Sequence, residues 1–371
     1  MATPMIRLGA ASPGGLQLPA AVPSAGTMYA PRGVWTDGER LAVCDTGNQR
    51  ILIWLSLPEV DGQGADVVLG QPDFASEGPQ GSGLGPANGL HLPTGIGLID
   101  GDLVVADAWN HRILVWDGFP TQSGVPPSRV LGQPDLGSVE PNRGGSPDLT
   151  SFYWPFGFAV VGDCFWVADT GNRRVLGWTG PHVPDHDRPA DILLGQDTAD
   201  QREDARGKPL AGDAFRWPHA LAGDADTLYV ADAGLHRVLG WTPHPSDDAP
   251  ADLVLGQSDF ASAAEFKSQP QTASRMRFPY GVAVQAGRLA VADTSNNRIL
   301  IWDALPREGC GVPADRVLAQ PDFNANGENR WDVVSDDSLC WPYGISWTDE
   351  LLAIADSGNN RVMLWNTASG A

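Results

Sequence analysis

Residues 41–54 read LAVCDTGNQRILIW: an apolar run ending in Asp45, a four-residue turn, Arg50, and a second apolar run ending in Trp54. The pattern returns five more times, as LVVADAWNHRILVW (103–116), FWVADTGNRRVLGW (165–178), LYVADAGLHRVLGW (228–241), LAVADTSNNRILIW (289–302) and LAIADSGNNRVMLW (352–365). The aspartates Asp45, Asp107, Asp169, Asp232, Asp293 and Asp356 are spaced by 62, 62, 63, 61 and 63 residues. The arginines Arg50, Arg112, Arg174, Arg237, Arg298 and Arg361 each follow their aspartate by five residues. A register held that closely is the signature of an internal structural repeat.

Two further elements keep the same period. A Pro-x-Gly begins at Pro31, Pro93, Pro155, Pro218, Pro279 and Pro342, fourteen residues before each aspartate. The fourth copy has Ala220 in place of glycine, which the backbone tolerates at negative φ. Downstream come LGQPDF (69–74), LGQPDL (131–136), LGQDT (194–198), LGQSDF (255–260) and LAQPDF (318–323). Each repeat thus offers four short apolar strands, and four antiparallel strands per unit make a propeller blade. The expected fold is all-β, a single six-bladed β-propeller over residues 1–371. The sixth repeat has no fourth strand after Trp365, but MIRLG at 5–9 resembles RVLG and stands at the right distance before Pro31. The N-terminal strand is therefore expected to complete the last blade and close the ring by strand pairing. The expected divisions are 1–29 (closing strand and leader), 30–91, 92–153, 154–216, 217–277, 278–340 and 341–371.

Composition agrees with many short strands joined by tight turns: the 44 glycines and 31 prolines recur in register and do not cluster in a linker. The net charge of −21 repels phosphate backbones and anionic membranes, so neither nucleic acid nor a membrane is expected as a partner. Apolar runs fall short of the roughly 20 residues of a membrane helix, and the opening MATPMIRLGAASPGG has no signal-like apolar core, which reads as an unprocessed cytoplasmic chain. Cys44, Cys164, Cys310 and Cys340 form no Cys-x-x-Cys pair and read as reduced thiols.

The segment Asp-x-x-Asn-x-Arg, clearest at 45–50, 107–112 and 169–174, resembles the NHL repeat, and Asn110-His111-Arg112 comes close to the letters that name that family. The resemblance implies a six-bladed propeller. Within the turn, Asn or Gly is expected to supply the left-handed residue, Asp to accept backbone N–H groups across the turn, and Arg to return a charge-assisted bond. These six pairs read as structural, and they leave 18 basic and 39 acidic residues elsewhere. His111 and His236 share their turn slot with Gln49, Arg173, Asn297 and Asn360, so no metal ligand is assigned there. Trp54, Trp116, Trp178, Trp241, Trp302 and Trp365 read as plugs between blades. The Gln-Pro-Asp-Phe stretch suits an Asx turn with its Phe tucked under the loop.

These repeats are longer than a typical NHL repeat, and the excess falls in inserts at 75–90, 137–151, 199–214, 261–275 and 324–338, whose sequences diverge. Divergent loops on a fixed frame are where binding specificity is usually placed. Chain direction puts the inserts, the Asp-to-Arg turns and the Pro-x-Gly segments on one face. The residues just after proline, Arg32, Thr94, Phe156, His219, Tyr280 and Tyr343, are the candidate contacts for a partner protein, a co-encoded enzyme being one candidate. Those just before it, Leu92, Trp154, Trp217, Phe278 and Trp341, read first as core. Six-bladed enzymes that resemble this family, lactonases and lyases, hold Ca²⁺ or Zn²⁺ in the channel on Glu, Asn, Asp or His. Here the inner strands begin with small or apolar residues, and His219 is the one imidazole at the channel mouth. No catalytic residue, metal or cofactor is assigned. The expected function is a non-catalytic interaction scaffold or accessory subunit, the alternative being a metal-dependent hydrolase or lyase using the channel.

Overall fold

The structure, a computed structural model, describes residues 2–10, 22–265 and 269–368. It is all-β, with short 3₁₀ turns between strands arranged as six sheets. In the first, Gly33–Thr36, Leu41–Asp45, Arg50–Trp54 and Val67–Leu69 pair antiparallel in chain order. The innermost strands of the six sheets contact one another in cyclic order, the first meeting the sixth, so the sheets are the blades of a closed ring. In the sixth blade the order is Pro342–Thr348, Leu351–Asp356, Arg361–Asn366 and then Thr3–Gly9. That pairing runs from Thr3 opposite Asn366 to Gly9 opposite Arg361, with a bulge between Pro4 and Ile6. The ring is closed by the two ends of the chain, as the MIRLG segment implied. One strand lay outside the sequence reading: Gly309–Cys310 adds to the fourth blade as a fifth strand, parallel to Leu253–Leu255.

Strand alternation puts successive side chains into different blade junctions. Leu41 and Val43 enter the core shared with blade six, and Ala42 and Cys44 the core shared with blade two. Six such clusters exist, one at each junction, and each repeat tryptophan enters the junction with the preceding blade. Trp54 is fully buried, and its indole N–H donates to the Gln63 carbonyl, which satisfies the one polar atom of a large apolar plug.

The Pro-x-Gly glycines are required by proximity to the axis. A Cβ on Gly33, Gly95, Gly157, Gly281 or Gly344 would lie under 3.0 Å from the carbonyl of Thr94, Phe156, His219, Tyr343 or Arg32, the residue after proline in the next blade. Close approach, and not φ, explains the glycine, and it also explains why the six post-proline residues gather around one axis. Ala220 marks the one junction, between blades four and five, where the repeat admits a methyl group.

Each Asp–Arg pair is fully buried. In blade one Asp45 Oδ2 accepts from Arg50 Nε at 2.7 Å and from Asn48 Nδ2 at 2.9 Å. Its Oδ1 accepts the Tyr29 backbone N–H, sixteen residues upstream, so the carboxylate ties the turn to the segment entering the blade, where a bond across the turn was expected. The rest of the guanidinium is spent on loop carbonyls: Nη1 donates to Phe74, Nη2 to Ser24 and Thr27. The left-handed residue is not the Asn or Gly in the middle of the turn, and it is Asn in only two of the six blades. It is the one just before arginine: Gln49, His111, Arg173, His236, Asn297 and Asn360, all with φ of 55–58°.

Candidate binding face

The glutamine of the Leu-Gly-Gln element organises the face. Gln133 Nε2 donates to the Asn110 and His111 carbonyls of the turn and to Glu140 of the following insert. Gln71, Gln196 and Gln320 reach the insert seven residues on in the same way. The following aspartate closes an Asx turn, as Asp73 Oδ1 does by accepting from the Ala75 N–H and Ser76 Oγ. The inserts at Pro141–Gly144, Asp204–Gly207 and Glu328–Trp331 then share a 3₁₀ turn with two left-handed residues. Three inserts that look unrelated as sequences therefore share a backbone turn, on which their side chains differ.

At the channel mouth, five of the six post-proline side chains form a continuous arc. The Phe156 ring stacks on His219 with centroids 4.5 Å apart, His219 meets Tyr280 edge-on at 4.6 Å, Tyr280 stacks on Tyr343 at 4.6 Å, and the Arg32 guanidinium lies over Tyr343 at 4.8 Å. Thr94 does not join them. It is buried, its hydroxyl donates to the Phe156 carbonyl, and it lines the narrower channel below, so the arc is open at blade two. Burial and the Arg32 charge lower the His219 imidazole to about 3, with a Tyr280 backbone hydrogen bond opposing, so the ring is neutral at physiological pH.

Above the arc opens a pocket of about 850 Å³. Its walls come from the turns (Trp109, Arg173), the segment entering blade three (Tyr153, Trp154), the third insert (Arg202, Glu203, Asp204) and Trp217. The residues before proline correct the core reading: Trp217 and Trp341 are 43% and 48% exposed, and Trp154 is half-buried. Trp109, which the sequence reading left out, packs on Trp154 at 5.2 Å. It was legible only as a large aromatic in a turn slot that holds glycine or serine in the other blades.

The left-handed residues also differ in how they meet the next blade, and Gln49, between blades one and two, leaves its side-chain oxygen without a partner. At four junctions the left-handed residue latches the next blade. The backbone N–H of Trp154, Phe278, Trp341 and Ala30 donates to His111 Nδ1, His236 Nδ1, Asn297 Oδ1 and Asn360 Oδ1. Burial, with His91 close by, lowers His111 to about 4 and keeps it an acceptor. Between blades three and four the slot holds Arg173, which has no acceptor and instead donates Nη1 to the Arg202 carbonyl. The Trp217 N–H turns to Asp232, and the indole projects outward. Blade four departs again at Leu235, which replaces the asparagine that elsewhere supports the aspartate, and Arg237 Nε stands 3.6 Å from Asp232, against 2.6–2.7 Å in the other five blades.

This architecture defines a six-bladed β-propeller with an Asp–Arg hub in every blade. Residues 90–116, which run through the second blade's Asp107–Arg112 pair, match the NHL repeat, so the chain is a propeller that carries an NHL repeat. No curated protein matches the chain significantly. Among solved structures, it is similar to a protein of unknown function from Bacteroides thetaiotaomicron (12% identity, 98% of this chain and 74% of that one, TM-score 0.52). It is also similar to Kuenenia stuttgartiensis hydrazine synthase (12% identity, 96% and 99%, TM-score 0.51) and to virginiamycin B lyase from Staphylococcus aureus (10% identity, 93% and 97%, TM-score 0.48). At these identities the likeness shows the fold alone. No helix among the described residues is long and apolar enough to cross a membrane.

Proposed function

We propose that this propeller is a non-catalytic interaction module that receives a partner protein on its insert-bearing face, in a cytosolic setting. The observation that carries the reading is the convergence of the aromatic arc with exposed Trp109 and Trp217 in one 850 Å³ pocket, beside the junction where Arg173 stands in the latch position. Exposed aromatics around a rigid concavity are the usual anchors of protein interfaces. Arg32, Phe156, His219, Tyr280 and Tyr343 form the floor in this reading, and Thr94 supports it from below.

The metal-dependent alternative requires several donors around the channel. The channel lining of about 120 Å³ offers the His219 imidazole and no carboxylate, where a catalytic zinc site uses three protein ligands. Metal analysis of the pure protein checks this: one ion per chain would reinstate that reading.

The main test is differential capture. Immobilised full-length chain and its Tyr280→Ala/Tyr343→Ala variant are exposed to lysate of the source organism, with thermal melts confirming that both are folded. A protein retained by the wild type and lost from the variant supports the proposal; identical capture by both overturns it.

A further inference from the structure

Arginine is otherwise well accounted for in this acidic chain. The six hub arginines are buried on their aspartates, and three of the insert arginines are neutralised: Arg206 by Asp197 and Asp248, Arg143 by Asp187, Arg330 by Asp337. The pocket breaks this rule. Arg32, Arg173 and Arg202 all line it, and none makes an ion pair with a carboxylate of the described residues. Nε of Arg32 and of Arg173 is buried without a hydrogen-bond partner. An unsatisfied buried donor on a cation is costly, and the three cations line the pocket beside aromatic walls with no carboxylate partner among the described residues, so the site suits an acceptor from outside. The acids of the lining are Glu203 and Asp204; Asp204 is already paired with Arg216 at 3.0 Å, and Glu203 accepts the Arg202 backbone N–H. With His219 neutral, the pocket is a positive spot on a protein of charge −21.

We infer that this pocket binds an acidic peptide segment of the partner, its carboxylates held by Arg32 on one side and by Arg173 and Arg202 on the other, its apolar side chains lying on the Phe156–His219–Tyr280–Tyr343 arc. The inference rests on the interaction reading above and names the chemistry of the segment. The ligand is short, because the volume lies within the range of about 300–1,000 Å³ that holds a drug-sized molecule. A long polyanion such as nucleic acid would extend beyond the three arginines onto acidic surface. At physiological ionic strength fields are screened beyond about 8 Å, so the local arginines outweigh the distant net charge. A peptide, as opposed to a small free anion, accounts for the exposed Trp109 and Trp217 in the pocket wall.

The experiment pans a random peptide library on phage against the immobilised full chain, then measures the selected peptides by fluorescence polarisation. The inference expects Asp and Glu enriched over the unselected library. It also expects affinity to fall about tenfold or more for Arg32→Gln and for Arg173→Gln/Arg202→Gln, with the lysine variants in between, since a charge-assisted contact is worth about that factor. Unaltered melting temperatures separate these losses from unfolding. Peptides lost on Tyr280→Ala/Tyr343→Ala but neither acid-rich nor sensitive to the arginine changes would overturn this inference and leave the interaction reading standing. Peptides indifferent to all the variants would overturn both. Competition by citrate at the concentration of the peptide would overturn the peptide assignment in favour of a small-anion site.

Discussion

Arg174 sits under the pocket, and its replacement by methionine tests whether the hub positions the face. Met keeps the apolar stem and removes the guanidinium. In the structure that group is fully buried; Nε donates to Asp169 Oδ2 at 2.7 Å, Nη1 to the Ala199 carbonyl at 2.7 Å, and Nη2 to Asp148 and Ser151 at 2.7 and 3.0 Å. Stranding the buried Asp169 carboxylate costs about 3–5 kcal/mol. Each carbonyl left without its donor adds about 1 kcal/mol. The sum is a large part of the roughly 5–15 kcal/mol that stabilises a domain. Urea unfolding followed by the fluorescence of the 14 tryptophans should therefore show a midpoint far below wild type.

Two companions divide that loss. Asp169→Asn/Arg174→Met removes the stranded charge and leaves the three carbonyls unserved, so it should recover the ionic part and no more. Burial already raises the Asp169 carboxyl with Arg174 opposing, so in the single Arg174→Met variant it rises further and the folded chain binds the proton more readily than the unfolded one. Its stability deficit should shrink as pH falls from 7 towards 5. Because Ala199 begins the insert that carries Arg202, the double variant, folded but with a freed insert, should also lose affinity for the peptides selected above. A double variant as stable as wild type would refute the claim that the arginine's value lies in holding loops, and an Arg174→Met midpoint within about 1 kcal/mol of wild type would refute the whole account.

Gly157→Ala places a Cβ 2.5 Å from the His219 carbonyl and should cost about 1–3 kcal/mol by overpacking at the axis, read as a lower urea midpoint; an unchanged midpoint would show that the ring breathes at this junction. Leu8→Ala, at a fully buried position of the closing strand, should cost about 2–5 kcal/mol, and deletion of residues 1–10 should lower the melting temperature further, with partial rescue by the synthetic peptide ATPMIRLGA. His111 has its folded pKa lowered to about 4, so the folded chain resists protonation: its contribution is complete above about pH 6.5 and declines as pH drops towards 4. His111→Asn, which keeps an acceptor for Trp154 as Asn297 does for Trp341, should flatten that part of the stability profile, and an identical slope would clear His111 of the role.

The propeller was legible because a strand period of two and a blade period near 62 are both carried by residues whose burial is obligatory, the Asp, Arg and Trp of every repeat. The closing strand was legible for the same reason: a repeat lacking its fourth strand must find one. The conformation of the turn was not. Asn48 looks like the left-handed residue, yet it serves as a donor to Asp45, and the strained backbone falls on Gln49, a residue type with no particular preference for it. Composition suggested core for the residues before proline, because Trp usually packs; Trp217 and Trp341 are exposed instead, the first in the copy with Ala220 and the second in a copy with Gly344, and the repeat sequence does not mark the side their indoles take. The convergence of Phe156, His219, Tyr280 and Tyr343 depended on knowing which end of each strand faces the axis, and Thr94 shows the limit of that reasoning, since a small side chain at the same position is covered by its neighbours.

The most informative letters in this chain are the ones that break the repeat. Arg173 cannot accept the bond that His111, His236, Asn297 and Asn360 accept, Leu235 cannot support Asp232, Ala220 occupies a glycine site, and LGQDT lacks the proline of three of its four sister loops. The first three lie in blade four or its junction with blade three and the fourth in the loop that leaves blade three; the one latch lost elsewhere is at Gln49. A repeat fold that depended only on its own stability would have no reason to concentrate its exceptions in one sector. At this junction Arg173 donates to the Arg202 carbonyl and lines the pocket where the other residues latch a neighbour, so a loss of cohesion and a cation in the accessible binding surface come from the same substitution. Restoring the repeat with Arg173→Asn is then expected to act in opposite directions on two readouts: a higher urea midpoint, because a latch becomes available to Trp217, and weaker peptide binding, because a cation leaves the pocket. A variant that gains stability and keeps full affinity would show that the broken register and the pocket are unrelated.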